Sequence, residues 1–230
     1  FKFDFPSSKN VIYIKNKKNL GYGAANNIAI RKCYENFIEK LFVINYDIDF
    51  KKNVFKEMVD FLMLNKNIGL MMPKILYPNN KKQFLPKLQP NSFSIIKRKI
   101  FQLTKIFFKD VVDKFEGREL DDKSNYIVKN LSGCFLLFNL KLMKNTCFFD
   151  ERFFLYMEDY DLCRRLTKKY NLVLYNKPVV YHSYHSGANH NVKLFYLFLS
   201  SYIKFFNKWG WLTTSFNKNQ NKIIKLEQNY

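Results

Sequence analysis

Three short apolar runs with helical periodicity between them limit this chain to a layered fold built around a sheet. Residues 11–14 (Val-Ile-Tyr-Ile) are β-branched and aromatic, as in a strand. Residues 24–37 then carry Ala, Ile and Tyr at helical spacing. Leu41, Phe42, Val43 and Ile44 form an apolar run that stops abruptly at Asn45-Tyr46-Asp47-Ile48-Asp49. That pattern predicts a buried parallel strand whose carboxyl end carries acids. Residues 54–64 read as an amphipathic helix, and residues 69–73 as another short buried strand closed by Pro73. Strand, helix, strand, helix, strand predicts an α/β fold: a doubly wound, mostly parallel sheet flanked by helices.

Between residues 84 and 125 the pattern degrades. Residues 95–115, flanked by Pro86, Pro90 and Gly117, are basic, apolar and helical in pattern, and read as a variable insertion over the sheet edge. Regularity returns at Val128 and residues 132–138, and a helix is expected to begin near Glu158. Residues 172–175 and 179–182 read as the last two strands. The tail, 192–212, is aromatic and helical, with Lys193, Lys204 and Lys208 among Phe195, Phe198, Tyr202, Phe206 and Trp209.

Composition narrows the classes further. The 230 residues are 47% hydrophobic, enough for a core, and carry 39 Lys+Arg against 19 Asp+Glu, a net charge of +20. Such a charge suits nucleic acid, an anionic membrane face or a phosphorylated ligand. The same chain is rich in Lys, Asn, Ile, Phe and Tyr and poor in Ala, Gly, Arg and Pro, the skew an AT-rich genome imposes without selection for binding. No RNP aromatics, helix-turn-helix or Arg-rich arm is present, so no nucleic acid is expected as a partner. Cys33, Cys134, Cys147 and Cys163 have no CxxC spacing, which excludes a zinc ribbon and a disulfide scaffold and fits reduced thiols in the cytoplasm. No run approaches the ~18 apolar residues needed to span a bilayer.

Four clusters could carry chemistry. Asp47 and Asp49, at the end of a buried strand, could hold a hard divalent cation; a solvated turn is the alternative. Glu158, Asp159 and Asp161 crowd the start of a helix in which Leu155, Asp159, Leu162 and Leu166 share one face. Asp159 is thereby expected to point inward, and a buried carboxylate is costly without a partner or a task. The alternative is helix capping by acids, with Arg164 or Arg165 as ion-pair partners. Asn19-Leu20-Gly21-Tyr22-Gly23 could bring backbone N–H groups to a phosphate, although it matches neither GxGxxG nor a Walker loop. His182, His185 and His190 lack the spacing and companions of a zinc site.

In this order the segments NLGYGAANNIAI, FVINYDID, SGCFLLF, FFDERFFLYMEDYDLCRRL, LVLYNKPVVYH and SSYIKFFNKWG resemble the inverting family 2 glycosyltransferases, and more narrowly a bacterial rhamnosyltransferase-like branch. The resemblance implies a GT-A fold, a nucleotide-diphosphate sugar donor, a glycan or lipid-linked acceptor, and Mg2+ or Mn2+. By the same resemblance Asp159 is the catalytic base and Glu158 helps position the acceptor. Asp47 holds metal and diphosphate, with Asp49 and His182 completing the metal site, and Asn19, Gly21, Asn27 and Gly133 lie on the donor side.

It also implies a GT-A-like catalytic domain over 1–190 and a C-terminal helical extension over 191–230. The lysines and aromatics of the tail and of residues 95–115 suit attachment to the inner face of the cell membrane; the alternative is that the tail's aromatics simply cover the sheet. Two departures stand out. Tyr46 replaces the family's usual Pro, and residues 1–10 are too short for the strand and helix that normally open the domain, so the N-terminal βα unit is expected to be missing. The rival readings are a sugar-phosphate nucleotidyltransferase and a non-catalytic basic membrane- or nucleic-acid-binding protein.

Overall fold

The computed structural model describes residues 11–51, 53–104, 106–183, 191–211 and 221–226. Its centre is a seven-stranded sheet in the order β1-β5-β3-β6-β4-β7, with β2 also paired to β6. The strands are β1 (Lys40–Ile44), β2 (Ile48–Phe50), β3 (Ile68–Leu76), β4 (Tyr126–Val128), β5 (Phe135–Asn139), β6 (Asn171–His182) and β7 (Ile224–Lys225). The apolar runs of β3 and β5 occupy the middle because both their faces are covered.

The helices are α1 (Tyr22–Glu35), α2 (Val54–Leu64), α3 (Ser92–Thr104), α4 (Lys109–Phe115), α5 (Leu140–Met143), α6 (Glu158–Leu166) and α7 (Val192–Trp209). The α/β class, the helix at 54–64 and the helix starting at Glu158 are as the sequence predicts.

The sheet is mixed rather than mostly parallel. Among the described residues only β3 and β6 pair in parallel; the other pairings are antiparallel. The run at 41–44 therefore forms a partly buried strand, β1, antiparallel to β5. Residues 11–14 form no strand, and Ile12 is 75% exposed, because β-branched composition needs a pairing partner that the described residues do not supply. Pro73 does not close β3. It lies inside the strand, and the ladder to β6 shifts register just after it, where residues 176–178 of β6 loop out. Asn125 Oδ1 accepts from the Asn176 N–H (3.0 Å) and Asn176 Nδ2 donates to Ser124 O (2.6 Å), which anchors the bulge although Asn176 Oδ1 lacks a partner, and the two expected strands are one.

The C-terminal region is not an appendage. Tyr202, Phe205 and Phe206 of α7 join Ile95 of α3, Phe115 of α4, and Phe153, Met157 and Tyr160 in a second apolar core beside the sheet. Beyond it, β7 adds a short strand to the edge of β4, so the extension is not helical throughout. Replacing the fully buried Phe205 by Ala should lower stability by about 3–5 kcal/mol. Urea denaturation showing one cooperative transition at lower midpoint would confirm this; a change within measurement error would mean that α7 is only loosely attached.

Candidate active site

α6 begins after an unusual turn. Tyr156 (φ 69°) and Met157 (φ 66°) are consecutive non-glycine residues in the left-handed region, at a cost on the order of 1–3 kcal/mol each. Packing holds them there: Phe153 and Met157 are buried in the second core, and Ser201 Oγ of α7 donates to Leu155 O (2.8 Å). The turn delivers three acids into the first turn of α6, where the helix dipole favours negative charge.

These acids divide by their partners. Asp161 is fully buried and structural: it receives Arg165 Nε (2.9 Å), Lys208 Nζ (2.6 Å) and Trp209 Nε1 (2.8 Å). Glu158 is buried, and its Oε2 has no hydrogen-bond partner. Burial, reinforced by the adjacent Asp159 charge, pushes its carboxyl well up. Asp159 is half-buried. Burial raises its pKa as well, opposed by the Lys87 ammonium and by the N–H groups of Tyr160, which donates to Oδ1 at 2.8 Å, and Gly133. Burial and Arg98 in turn pull Lys87 down to about 8, against Glu116 and Asp159.

The segment at 132–134 ties this pair to the rest of the site. The Tyr22 hydroxyl donates to Gly133 O, and burial followed by Cys134, Glu158 and Asp159 drives its pKa up. A Cβ on Gly133 would meet that hydroxyl at 2.8 Å, so the glycine makes room for Tyr22. One residue on, Cys134 O accepts from Asn45 N (2.9 Å). Asp47 follows Asn45 by two residues, at most about 7 Å of chain. The chain bearing Asp47 and the helix start bearing Asp159 are thus both tied to one short segment.

At Asp47 the structure sets up an oxygen–nitrogen pair. Gln83 Nε2 donates to His182 O (2.7 Å), which orients the amide so that its Oε1 faces His182 Nδ1 at 3.1 Å. A carbonyl oxygen accepts only, so Nδ1 carries a proton toward Gln83. Nε2 lies 3.4 Å from Asp47 Oδ1, a buried oxygen with no hydrogen-bond partner. Burial also lowers the His182 pKa, opposed by Asp47.

Asp49 does not join them. On β2 it lies opposite Tyr181, whereas His182 is opposite Ile48, so strand alternation puts Asp49 on the other face, exposed. Among the described residues no three His, Cys, Asp or Glu side chains form a metal-holding group. His185 and His190 lie outside the described residues.

The expected donor-side residues have other tasks in the structure. Asn19 Oδ1 accepts from Gly21 N (2.9 Å), and Tyr22 N donates to Phe154 O (2.9 Å), so these N–H groups are not left for a phosphate. Gly21 has φ 85°, and a Cβ there would strike Phe154 O at 2.2 Å. Asn27 is buried and clamps the loop before α6: Nδ2 donates to Phe149 O and Glu151 Oε1 (both 2.9 Å), and Oδ1 accepts from Phe149 N (2.8 Å).

Three residues that matter here were not singled out from the sequence: Tyr22, Gln83 and Lys87. Tyr22 lies within the glycine motif, whereas nothing in the local pattern distinguishes Gln83 or Lys87 from the many polar residues around them. A cavity of about 410 Å³ lined by Arg152, Phe153, Lys204, Asn207 and Lys208 contains none of the expected site residues. Two of its cations, Arg152 and Lys208, already pair with Asp150.

No protein-family model matches the chain, and no curated protein sequence does. Among solved structures, the crystal structure of GalNAc-T7 with UDP, GalNAc and Mn2+ superposes with a TM-score of 0.56 at 11% identity, covering 84% of this chain. The chain corresponds to 36% of the length of that structure. The likeness establishes a GT-A-like fold.

The burial of Glu158 has a measurable consequence. An unfolded glutamate ionises near its ordinary value of 4.5, while the folded one keeps its proton to higher pH. The folded state therefore loses stability as pH rises from that value toward the raised one. Glu158→Gln should be more stable than wild type by roughly 1–3 kcal/mol at pH 8 and nearly equal at pH 4, read by thermal melts at both pH values.

Proposed function

We propose that this chain is an inverting glycosyltransferase that moves a sugar from a nucleoside-diphosphate donor to a hydroxyl of a glycan or lipid-linked acceptor. What supports this reading is that the Glu158–Asp159 pair and the chain bearing Asp47, which faces His182, are both tied to residues 132–134 of a GT-A-like fold. The structural neighbour was crystallised with UDP, GalNAc and Mn2+, which supports a nucleotide-sugar donor here. Rhamnose is the donor sugar favoured by the motif resemblance.

Asp159 is the general base. An acceptor hydroxyl is a weak nucleophile, and Asp159 takes its proton as the oxygen attacks the anomeric carbon. The new carbon–oxygen bond forms as the bond to the diphosphate breaks, the electron pair leaving with the nucleoside diphosphate from the opposite face. Configuration inverts in this single displacement, without a covalent enzyme intermediate. Lys87 holds Asp159 toward its ionised form, and Glu158, raised further by its neighbour, retains a proton with which to hold the acceptor.

Asp47 and His182 fit a divalent cation: one supplies a buried oxygen lacking a partner, the other an imidazole nitrogen turned toward it. Two protein ligands leave positions for diphosphate oxygens and water, and an imidazole suits Mn2+ better than Mg2+. When bound, the ion would neutralise charge gathering on the leaving diphosphate. In this reading Asn19, Gly21, Asn27 and Gly133 shape the donor side by holding the chain.

Incubation with UDP-, dTDP- and GDP-sugars, with and without Mn2+, should release nucleoside diphosphate from one donor class. Asp159→Asn should slow that release by about 10²–10⁴-fold, and Asp47→Ala should erase the Mn2+ stimulation. Because the base works ionised and burial holds its proton longer, wild-type rate should climb with pH through a value above the ordinary Asp range. Near-normal turnover of Asp159→Asn would remove Asp159 from this role.

A further inference from the structure

α3 and α7 lie side by side and antiparallel. The Tyr202 hydroxyl donates to Ser92 O (3.1 Å) near one end, and Lys99 Nζ sits 4.8 Å from the Phe198 ring centre farther along. The inward faces fill the second core, yet each helix also carries an apolar stripe on its solvent side: Phe93, Ile96, Ile100 and Leu103 on α3, and Val192, Tyr196, Leu199 and Ile203 on α7. The spacing of three and four residues keeps each stripe on one face. Just past α3, Ile106 and Phe107 are exposed as well. Leu103 is 85% exposed, Ile106 76% and Val192 73%, far beyond scattered surface apolar residues.

Charge identifies what covers this face. Neither helix contains a single Asp or Glu, while α3 bears Lys97 and Lys99 and α7 bears Lys193; Arg98, Lys204 and Lys208 of the same helices are engaged by Glu116, Arg152 O, Asp150 and Asp161. On a protein of net charge +20, two copies of such a face would repel each other. An anionic bilayer instead attracts the lysines and accepts the apolar residues at its interface. No helix among the described residues is long and apolar enough to cross a membrane. We propose that the paired outer faces of α3 and α7, led by Leu103, Ile106 and Phe107, dock on an anionic lipid surface. This stands apart from glycosyl transfer, since vesicle binding is read without catalysis.

The test is co-sedimentation of the full chain with vesicles of phosphatidylcholine alone and of phosphatidylcholine mixed with phosphatidylglycerol. Wild type should pellet with the mixed vesicles and release as salt is raised. Leu103→Ser/Ile106→Ser/Phe107→Ser, all solvent-exposed, should weaken binding by about tenfold or more with an unchanged thermal melt. Lys97→Glu/Lys193→Glu should weaken it roughly fivefold per lysine. The proposal fails if wild type stays in the supernatant with phosphatidylglycerol vesicles, or if the triple-serine protein binds as tightly as wild type. It also fails if sedimentation velocity shows a dimer that the serine substitutions dissolve, which would assign the face to a second copy.

Discussion

Two adjacent carboxylates withdrawn from water are the constraint around which this structure is organised. Burial raises the cost of ionising both, and the Asp159 charge adds to that of Glu158; side chains so placed would ordinarily turn outward. Here the left-handed turn at Tyr156 and Met157 sets where α6 begins, and the core beneath α7 holds that turn. Compensation is partial. Lys87, two backbone N–H groups and the start of α6 favour charge on Asp159, while Glu158 Oε2 is left without a partner. Such incomplete satisfaction is expected where chemistry, rather than stability, sets the arrangement.

The small residues at the site serve the same end. Gly21 yields to Phe154, Gly133 to the Tyr22 ring, and Asn27 fastens the loop that precedes the acids. Their chemistry faces other parts of the chain. The loop from 148 to 157 is thus gripped from α1 on one side and α7 on the other, fixing the approach to α6 from elements more than a hundred residues apart.

Much of this was legible beforehand, and the exceptions have physical causes. The helices at 54–64 and from Glu158 follow from periodicity, a local property. Strand direction does not: nothing in Leu41 to Ile44 records that its neighbour would be β5 running the other way. Pro73 reads as a stop because proline lacks a ladder donor, yet a bulge opposite it absorbs the defect. The acids of the Glu-Asp segment were visible as a cluster, but which one is the structural one, Asp161, depends on Lys208 and Trp209 arriving from α7. Asp47 and His182 meet through sheet pairing, which also separates Asp49 from them. Gln83 and Lys87 come from a stretch whose irregular pattern concealed that it folds back over the site.

Asp161 carries a consequence for how the chain can be shortened. Its charge sits inside the protein, balanced by Arg165 of its own helix and by Lys208 and Trp209 from the end of α7. Trimming the C-terminus past Lys208 leaves that charge, three residues from Glu158, with Arg165 as the one left of these three partners, so a deletion series would map an electrostatic debt rather than a domain border. Loss of activity in such a series would say little about whether the removed segment touches sugar, nucleotide or lipid.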